Sequence, residues 1–505
     1  MLRKADQIKL GAILSYASLA LNVIAGLFYT PWIKNQIGIG QFGLYTLATS
    51  VISLFMFDFG LNSTVTRYVS LYHAENNEEK VFVFLGAVYK IYFIIDAIIF
   101  LALTVFYFFI NQVYIKLSPY ELTLFKGVYI ISGFYALVNF PFITLGGILT
   151  AYEKFIQLKL ADMTYRILVV VLTVVSLLNG GKLYALVICN AVAGLALIGL
   201  KFFFIKKTTN IKVVFQRNDK KLYKEILCFS VWVMLITIAQ RLIFSITPSI
   251  LGYFCGSVAI AVFGTVVTLE GYVFLFTGAI NGMFMPRISR IYSNDDQNTE
   301  LLPLMLKVGR FQYALNGLIV VGFAAIGKDF VALWMGKEFI DAYYGVLLVI
   351  IPGMFLNSLQ IANTAMMVDK KVHLQAYICL STGILNVILS IILSKFFGII
   401  GACVSIFIAY MARAIIQNIV IKKHLLLDMK TFNKNCYLQL MPSILLSLLS
   451  GLALCRFIPV GGWLGLIIKG ILIVFVYLCF LWLLGLQKAE KQQIINMVCR
   501  RANEE

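Results

Sequence analysis

The chain has 505 residues, of which 61% are hydrophobic and 13% are charged, and its mean hydropathy is +0.91. Soluble globular domains carry about 25% charged residues. This chain therefore has too few charges to cover a water-facing surface, which excludes an ordinary soluble fold and predicts an integral membrane protein.

Long apolar runs alternate with short loops along the whole chain. A helix crosses the hydrocarbon core with about 20 apolar residues, and these runs are too long and continuous for the alternating strands of a membrane barrel. We therefore predict an all-α protein with about 14 transmembrane helices. The predicted spans, in chain order, are 11–33, 43–65, 83–110, 124–149, 161–179, 183–205, 225–248, 257–282, 305–327, 343–366, 373–395, 398–421, 437–456 and 462–486.

The Lys and Arg residues that give the net charge of +19 are unevenly distributed between the two predicted sides. Of the 42, 29 lie in the terminal segments and the even-numbered loops, and eight lie in the odd-numbered loops. Positive residues are retained in the cytoplasm, so both termini are predicted to be cytoplasmic. The excess charge then faces anionic headgroups, and no nucleic-acid partner is needed to explain it.

Signatures of enzymes and metal sites are missing from the sequence. We find no phosphate-binding loop, dinucleotide fingerprint or nucleophile elbow. His73, His373 and His424 fall in separate predicted loops, so no metal cluster is expected. The longest loop, 206–224, is basic and too short to fold as a catalytic domain. We expect a protein that is not an enzyme and that has no metal or organic cofactor.

The two halves of the sequence resemble each other at an offset near 217–220 residues. Six spans separate the copies, so both halves have the same orientation, as in transporters with parallel repeats that bind cargo between them. We predict lobes at 1–205 and 225–421, a basic linker at 206–224, and a segment at 422–505 holding two further spans and a cytoplasmic tail. The matching segments are Thr30-Pro31 with Thr247-Pro248, Arg67–Tyr72 with Arg287–Tyr292, and Glu153-Lys154 with Asp369-Lys370.

Short motifs at the predicted spans carry a family resemblance. They are Phe42-Gly43-Leu44-Tyr45, the run from Phe57 to Asn62, Arg67-Tyr68-Val69, and Gly398-Ile399-Ile400-Gly401-Ala402. In their order and in the length of the chain, they resemble the Wzx-like polysaccharide flippases. These flippases are a branch of the multidrug/oligosaccharidyl-lipid/polysaccharide (MOP) exporter superfamily.

This resemblance implies both a fold and a function. The fold would have two pseudo-symmetric six-helix lobes and two C-terminal helices. The function would be the movement, by alternating access, of polyprenyl-diphosphate-linked repeat units across the bacterial cytoplasmic membrane for O-antigen, capsule or exopolysaccharide assembly. Implied partners are this cargo, membrane lipids, a polysaccharide polymerase and a chain-length regulator.

Other functions stay open from the sequence. A lipid II-type flippase and a cation-coupled multidrug exporter belong to the same superfamily. The first of these would carry an arginine in span 1, where this chain has only Asn22 among comparable polar residues. A membrane polymerase or ligase would need a large outer loop with catalytic Arg or His, and a passive scaffold would not need charges in mid-membrane.

Arginines are the candidates for binding an anionic cargo. Arg241 lies deep in span 7, and charged groups at that depth are functional candidates by default. Arginine suits bidentate phosphate contacts; the alternative is a structural ion pair with Glu270. Four further arginines at the predicted cytoplasmic mouth either gather the headgroup or serve as ordinary positive-inside anchors. They are Arg67, Arg287, Arg290 and Arg310.

Three acidic residues in the spans are candidates for ion coupling or gating. A buried carboxylate can take up a proton or Na⁺ as a protein changes conformation. Asp58 and Glu270 lie in spans 2 and 8, which the resemblance assigns to the cavity, whereas Asp96 lies in span 3. The alternative for each is a salt bridge. The coupling ion, H⁺ or Na⁺, is left open.

Two prolines and four cations complete the candidate set. Pro31 and Pro248 lie at the outer ends of equivalent spans, where a proline either forms a hinge for lobe rocking or ends the helix. Cations closer to the span ends are expected to reach the interface by extending their side chains. These are Lys90, Arg166, Arg413 and Lys469.

Overall fold

The computed structural model describes residues 4–56, 59–215, 220–281, 284–294, 296–458, 461–492 and 495–496. Within these ranges the chain forms helices and turns and no strand. The contacts divide the chain into two compact units. Unit 1 comprises Met1–Gly264 and Cys379–Ala402, and unit 2 comprises Thr265–Ile378 and Cys403–Glu505. The lobe boundaries drawn from the sequence repeat stay a prediction.

The helices of the first half begin with two that meet at a sharp bend. The helices are α1 Lys4–Ile37, α2 Ile39–Phe55, α3 Leu61–Ala74, α4 Glu78–Val113, α5 Pro119–Asn139, α6 Thr144–Ala151, α7 Phe155–Leu178 and α8 Leu183–Thr208.

In the second half, a π-helical turn precedes one helix and another π-helical turn follows the last helix. The helices are α9 Lys220–Phe244, α10 Thr247–Phe254, α11 Ser257–Asn281, α12 Met285–Ser293, α13 Gln297–Trp334, α14 Ile340–Ser358, α15 Gln360–Val368, α16 Val372–His424, α17 Met429–Asn433, α18 Gln439–Phe457 and α19 Gly462–Phe480. The π-helical turns are Lys434–Leu438, before α18, and Leu481–Gly485, after α19.

Eleven helices within the described ranges are long and apolar enough to cross a membrane. The number is up to twelve if the bent pair Ala20–Ile37 and Ile39–Phe55, at 118°, counts as one span. The prediction of an all-helical, multi-pass membrane protein is therefore confirmed, whereas the count of 14 spans is not.

The second predicted span, 43–65, is not one continuous helix. α2 ends at Phe55, and Phe59 and Gly60 have positive φ angles of 51° and 71° before α3 begins. Gly60 is in the left-handed region, which a residue without a Cβ adopts at little cost. The motif at 57–62 therefore coincides with a helix break, which hydropathy did not reveal because both flanks are apolar.

Helix α16 is too long to be one span. Its 53 residues would extend about 80 Å at 1.5 Å per residue, against a hydrocarbon core of roughly 30 Å. Gly398 interrupts it with non-helical φ and ψ of 56° and −133°. The predicted break between spans 373–395 and 398–421 is thus confirmed.

The internal repeat is visible in the backbone turns. After α6, the N–H of Lys154 donates to the carbonyl of Leu149 at 2.8 Å; after α15, the N–H of Lys371 donates to Met366, also at 2.8 Å. The residue before each lysine has a positive φ, 56° in one half and 57° in the other. Equivalent turn residues are 217 apart, the offset predicted from the sequence.

Glycines extend this equivalence to two further turns. Gly38 and Gly256 precede α2 and α11 with φ of 83° and 87°. Gly180 and Gly398 precede equivalent helical segments with φ of 85° and 56°. Glycine adopts these φ angles at less cost than a residue with a Cβ, and its presence at the same two turns in both halves agrees with the repeat.

Candidate functional site

Unit 2 contains a groove of about 890 Å³ between α12, α13, α18 and α19. Its charged end is formed by Arg287, Lys307, Arg310 and Glu490. Along α13, Lys307 and Arg310 precede Leu315 and Leu318 by roughly 8–16 Å, on the side predicted to be cytoplasmic. The groove is therefore charged at one end and apolar along its length. Its apolar wall includes Phe311, Leu315, Leu318, Leu478, Leu481 and Trp482.

Arg310 is 4% exposed and is bound through all three guanidinium nitrogens. Nε and Nη2 donate to the two carboxylate oxygens of Glu490 at 2.7 and 2.8 Å. Nη2 also donates to the carbonyl of Gly485 at 2.8 Å, and Nη1 donates to Oε1 of Gln439 at 3.0 Å and to the carbonyl of Asn435. We call these five residues the Arg310 junction; it ties α13 to α18 and to the segment after α19.

The two π-helical turns explain why the Arg310 junction forms where it does. A π-helical turn shifts backbone hydrogen bonding from i+4 to i+5, and each turn supplies one carbonyl to Arg310, from Asn435 and Gly485. Burial by itself would raise the pKa of the Glu490 carboxyl. Hydrogen bonds from Arg310 and from the N–H of Gln487 outweigh this effect, so the pKa lies below its ordinary value. The prediction that Arg310 binds cargo stays a prediction, but its donors already have protein partners.

A second polar network lies inside unit 2, where α11, α13 and α14 meet. Gln312 donates to the carbonyl of Thr277 at 3.0 Å, and Asn316 donates to the carbonyl of Gln312 at 2.8 Å. Asn357 donates to Asn316 at 3.2 Å and to the Thr277 hydroxyl at 3.3 Å. Polar side chains join membrane helices in this way. The sequence search missed them because it considered charged residues only.

Arg241 lies near the middle of the span Val231–Phe254. Its carbonyl accepts from the N–H groups of Ser245 and Ile246, at 2.9 and 3.1 Å, so it belongs to the last turn of α9. The span breaks immediately afterwards, before α10. Arg241 therefore lies about midway along this span, and its role in a cavity stays a prediction.

The two candidate hinge prolines have different settings. Pro31 lies inside α1, which continues to Ile37, whereas Pro248 lies in the first turn of α10. A proline inside a helix removes a hydrogen bond and favours a kink, but one in the first turn does not. Neither proline ends a helix, and their role as hinges stays a prediction.

The acidic candidates are only partly described. Glu270 lies near the middle of α11, in the part of that helix that belongs to unit 2. Asp96 lies in the middle of α4, and its Oδ1 is buried with no hydrogen-bond partner among the described residues. Asp58 lies outside the described residues. No described group of three or more His, Cys, Asp or Glu side chains is placed to hold a metal ion.

The arginines predicted at the cytoplasmic mouth do not all come together. Arg287 and Arg310 share the groove of unit 2. Arg290 is exposed on α12, whose Ile288 is buried. Arg67 is exposed on α3 in unit 1, with its guanidinium 5.8 Å from the centre of the Tyr68 ring. Lys307, which sequence reasoning did not select, is the additional cation in the groove.

A clamp at the end of α3 fixes the segment that carries Arg67. The two carboxylate oxygens of Glu78 bind His73 Nδ1 at 2.7 Å and the Tyr152 hydroxyl at 2.6 Å. The rings of His73 and Tyr152 also lie 4.2 Å apart. Together they join α3, the start of α4 and the turn after α6.

In unit 1, α2 approaches the first half of α11 through glycines. A Cβ atom on Gly43 would overlap the carbonyl oxygen of Ser257, and one on Gly264 would lie 2.8 Å from Cγ2 of Thr46. Small residues let membrane helices approach closely. We call this contact, together with Glu121, the glycine seam; it joins a helix of the first half of the sequence to one of the second half.

Single hydrogen bonds between side chains support the glycine seam. Ser257 donates to Oε1 of Glu121 at 2.5 Å, while Oε2 of Glu121 accepts from the N–H and hydroxyl of Ser118 at 2.9 and 3.0 Å. Ser118 and Glu121 form the capping box that begins α5. Two further hydrogen bonds also join side chains of the two halves of the sequence: the Tyr114 hydroxyl donates to Ser249 at 3.1 Å, and Ser53 donates to Ser245 at 2.9 Å.

Two ion pairs in the spans were missed by sequence reasoning. Lys201 on α8 lies 3.0 Å from Asp162 on α7. Lys469, which was expected to extend toward the interface, lies 3.8 Å from Asp329. Both pairs join residues that are far apart in sequence, so local charge spacing could not indicate them.

Comparison with known proteins identifies the family. The family model described as "Polysaccharide biosynthesis protein" matches residues 9–292, more than half of the chain. The chain belongs to this family. It is also similar to "Uncharacterized membrane protein EpsK" of Bacillus subtilis (strain 168), with 22% identity over 503 residues that cover 94% of this chain and 95% of that protein.

Solved structures show the same fold at low identity. The "Lipid II flippase MurJ, inward closed conformation" aligns with a TM-score of 0.70 and 16% identity, covering 93% of this chain and 97% of that one. An inward-facing MATE multidrug transporter of the MOP superfamily aligns with a TM-score of 0.70 and 13% identity, covering 83% and 99%. These structures share the fold that the resemblance to MOP-superfamily polysaccharide flippases implies, and the chain is a multi-pass membrane protein of the polysaccharide biosynthesis family.

Proposed function

We propose that this polysaccharide biosynthesis family member is a flippase for polyprenyl-diphosphate-linked oligosaccharides in a bacterial cytoplasmic membrane. The cargo would pass from the inner to the outer leaflet and supply surface polysaccharide assembly. The observation that carries the proposal is the groove of unit 2, which combines an apolar wall with a cationic end.

The groove matches the chemistry of such a cargo. A polyprenyl chain is apolar and long, and the diphosphate next to it is anionic. The wall of Leu315, Leu318 and Leu478 is as apolar as the lipid that the chain leaves, so the chain can enter the groove without being exposed to water. Arg310 already binds Glu490, so we assign the diphosphate to Arg287 and Lys307.

Alternating access would move the sugar portion. We propose that Arg241 contacts the anionic part of the cargo in mid-membrane, and that Glu270 and Asp58 take up H⁺ or Na⁺ during the cycle. We further propose that both termini are cytoplasmic, in keeping with the distribution of Lys and Arg, and that a polysaccharide polymerase and a chain-length regulator act on the delivered units.

The first test is depletion of the protein in its host. We expect lipid-linked oligosaccharide to accumulate in the inner leaflet while surface polysaccharide disappears. Mass spectrometry of the extracted lipid would then also identify the glycan. An unchanged pool of lipid-linked oligosaccharide would reject this cargo.

The groove is tested by the double variant Arg287→Gln/Lys307→Gln. It should reduce surface polysaccharide and raise the lipid-linked pool, whereas Arg290→Gln should change neither, because Arg290 lies on the same helix but does not line the groove. Arg241→Ala should abolish transport with normal insertion and abundance. Normal surface polysaccharide in either variant would remove that residue set from the site.

The likeness to a lipid II flippase structure favours one alternative cargo, a peptidoglycan precursor. The fold alone cannot choose between the two, since the identity is 16%. In the depletion experiment, accumulation of lipid II instead of another lipid-linked glycan would select this alternative. Loss of drug resistance, with both lipid pools unchanged, would select a cation-coupled exporter.

A further inference from the structure

Arg166 lies at the centre of a membrane helix. It is the twelfth of the 24 residues of α7, Phe155–Leu178, and is therefore about 17 Å along the axis from either end. The expectation from the sequence, that Arg166 extends toward the interface, stays a prediction.

Arg166 also faces away from lipid. The exposed apolar residues of α7 recur every three or four positions and form one face. At 100° per residue, Arg166 lies about 140° from the middle of that face, on the same half of the helix as the buried Val169 and Thr173. The Nε of Arg166 is buried and has no hydrogen-bond partner among the described residues. The exposed face consists of Leu160, Ile167, Val171, Val175 and Leu178.

The surroundings of Arg166 are rich in tyrosine. Tyr29 on α1, Tyr45 on α2 and Tyr165 on α7 lie near enough to interact electrostatically with its guanidinium. The carboxylate of Asp162, one turn away on α7, is paired with Lys201 at 3.0 Å. Three tyrosines therefore lie within electrostatic range of the guanidinium.

The buried Nε–H donor of Arg166 needs a ligand or water. Burying a polar group without a hydrogen bond is costly, and ionisable groups within membrane spans mark transport pathways. A buried polar atom without a partner in a folded protein calls for an unseen water, ion or ligand. Guanidinium suits bidentate phosphate binding, and tyrosine supplies a hydroxyl and an aromatic surface that sugar rings can contact.

We propose that Arg166, with Tyr29, Tyr45 and Tyr165, forms an anion site in unit 1 for a phosphate ester carried on a sugar or lipid. This site is separate from the groove of unit 2 and from Arg241. The assignment of a glycan diphosphate as the physiological ligand rests on the proposed function. The inference that the site binds an oxyanion does not.

The test is binding of inorganic diphosphate and farnesyl diphosphate to the full chain in nanodiscs, measured by calorimetry, with farnesol as the uncharged probe. The groove variant Arg287→Gln/Lys307→Gln serves as background, so that its cations do not contribute. We expect Arg166→Gln to weaken diphosphate binding about tenfold or more, and Arg166→Lys to restore part of it. Lys126→Gln, which removes a cation of unit 1 that lies over the Tyr107 ring, should leave binding unchanged.

The outcomes separate the possibilities. Binding of inorganic diphosphate alone would identify a free anion as the ligand, and binding of farnesyl diphosphate alone would identify a lipid-borne one; either supports the site. Equal affinity in the Arg166→Gln variant, or no diphosphate binding before that change, overturns it and leaves a hydrated structural arginine. If depletion causes no accumulation of lipid-linked glycan but Arg166→Gln still loses diphosphate binding, the proposed function fails and the site stands.

Discussion

The glycine seam and the Arg310 junction hold helices together in opposite ways. In the seam, α2 and α11 meet through glycines, a backbone carbonyl and single hydrogen bonds such as Ser257 to Glu121. In the junction, one buried guanidinium donates to two carboxylate oxygens, two carbonyls and an amide.

The difference lies in what separation would cost. Opening the seam breaks weak, individually replaceable contacts, each about 0.5–1.5 kcal/mol. Opening the junction would leave a buried arginine and a half-buried carboxylate without partners, which costs several kcal/mol. We infer that the seam is suited to open and close during transport, whereas the junction keeps α13, α18 and α19 together throughout.

The largest expected effect follows from removing the charge at the junction. Arg310→Met should destabilise the protein by about 3–5 kcal/mol, because Glu490 is left without its partner. Thermal unfolding of the purified protein in detergent, together with its abundance in membranes, measures this. The double variant Arg310→Met/Glu490→Met should recover much of the loss, since no charge is then left unpaired. A wild-type melting temperature for Arg310→Met would contradict a structural role.

The next largest effect concerns the seam itself. Gly43→Ala adds a Cβ that overlaps the carbonyl oxygen of Ser257, and such overpacking typically costs about 1–3 kcal/mol. Gly40→Ala is the matched control on the same helix, because its Cβ would lie 3.6 Å from Glu121 Oε1 and Ser257 Oγ, an ordinary contact. Transport assays should show a defect for Gly43→Ala and little for Gly40→Ala.

A cross-link can determine whether the seam opens. A Cβ on Gly40 would lie 3.6 Å from Ser257 Oγ, so we choose the variant Gly40→Cys/Ser257→Cys, with Cys255 replaced by Ser, for disulfide cross-linking. Oxidation should stop transport and a reductant should restore it. Full transport by the oxidised protein would show that α2 and α11 need not separate there.

The sequence predicted what depends on local pattern. Hydropathy predicted an all-helical, multi-pass membrane protein but not the number of spans, and matches such as Thr30-Pro31 with Thr247-Pro248 predicted a repeat that the backbone turns confirm. It did not predict the junction, because Arg310 and Glu490 are 180 residues apart and only the folded chain brings them together. It did not show that Arg166 lies on the same half of α7 as the buried Val169 and Thr173, because distance from a loop does not say which face of a helix a residue occupies.

A smaller effect on the junction should appear at acid pH. The pKa of Glu490 is held below its ordinary value, so its contribution to stability is complete above a pH of about 4.3. That contribution is lost as the pH falls through the lowered pKa. The melting temperature of the wild type should therefore approach that of Glu490→Gln below about pH 4. A constant difference between the two down to pH 3 would contradict this account.

The smallest expected effect is that of the single hydrogen bond in the seam. Ser257→Ala removes the donor to Glu121 and should cost about 1 kcal/mol, because Ser118 continues to donate to the same carboxylate. A double-mutant cycle with Glu121→Gln measures the coupling by thermal unfolding. Coupling of this size fits a contact that forms and breaks in each cycle. Coupling of several kcal/mol would make the seam as permanent as the Arg310 junction and would remove it as the moving contact.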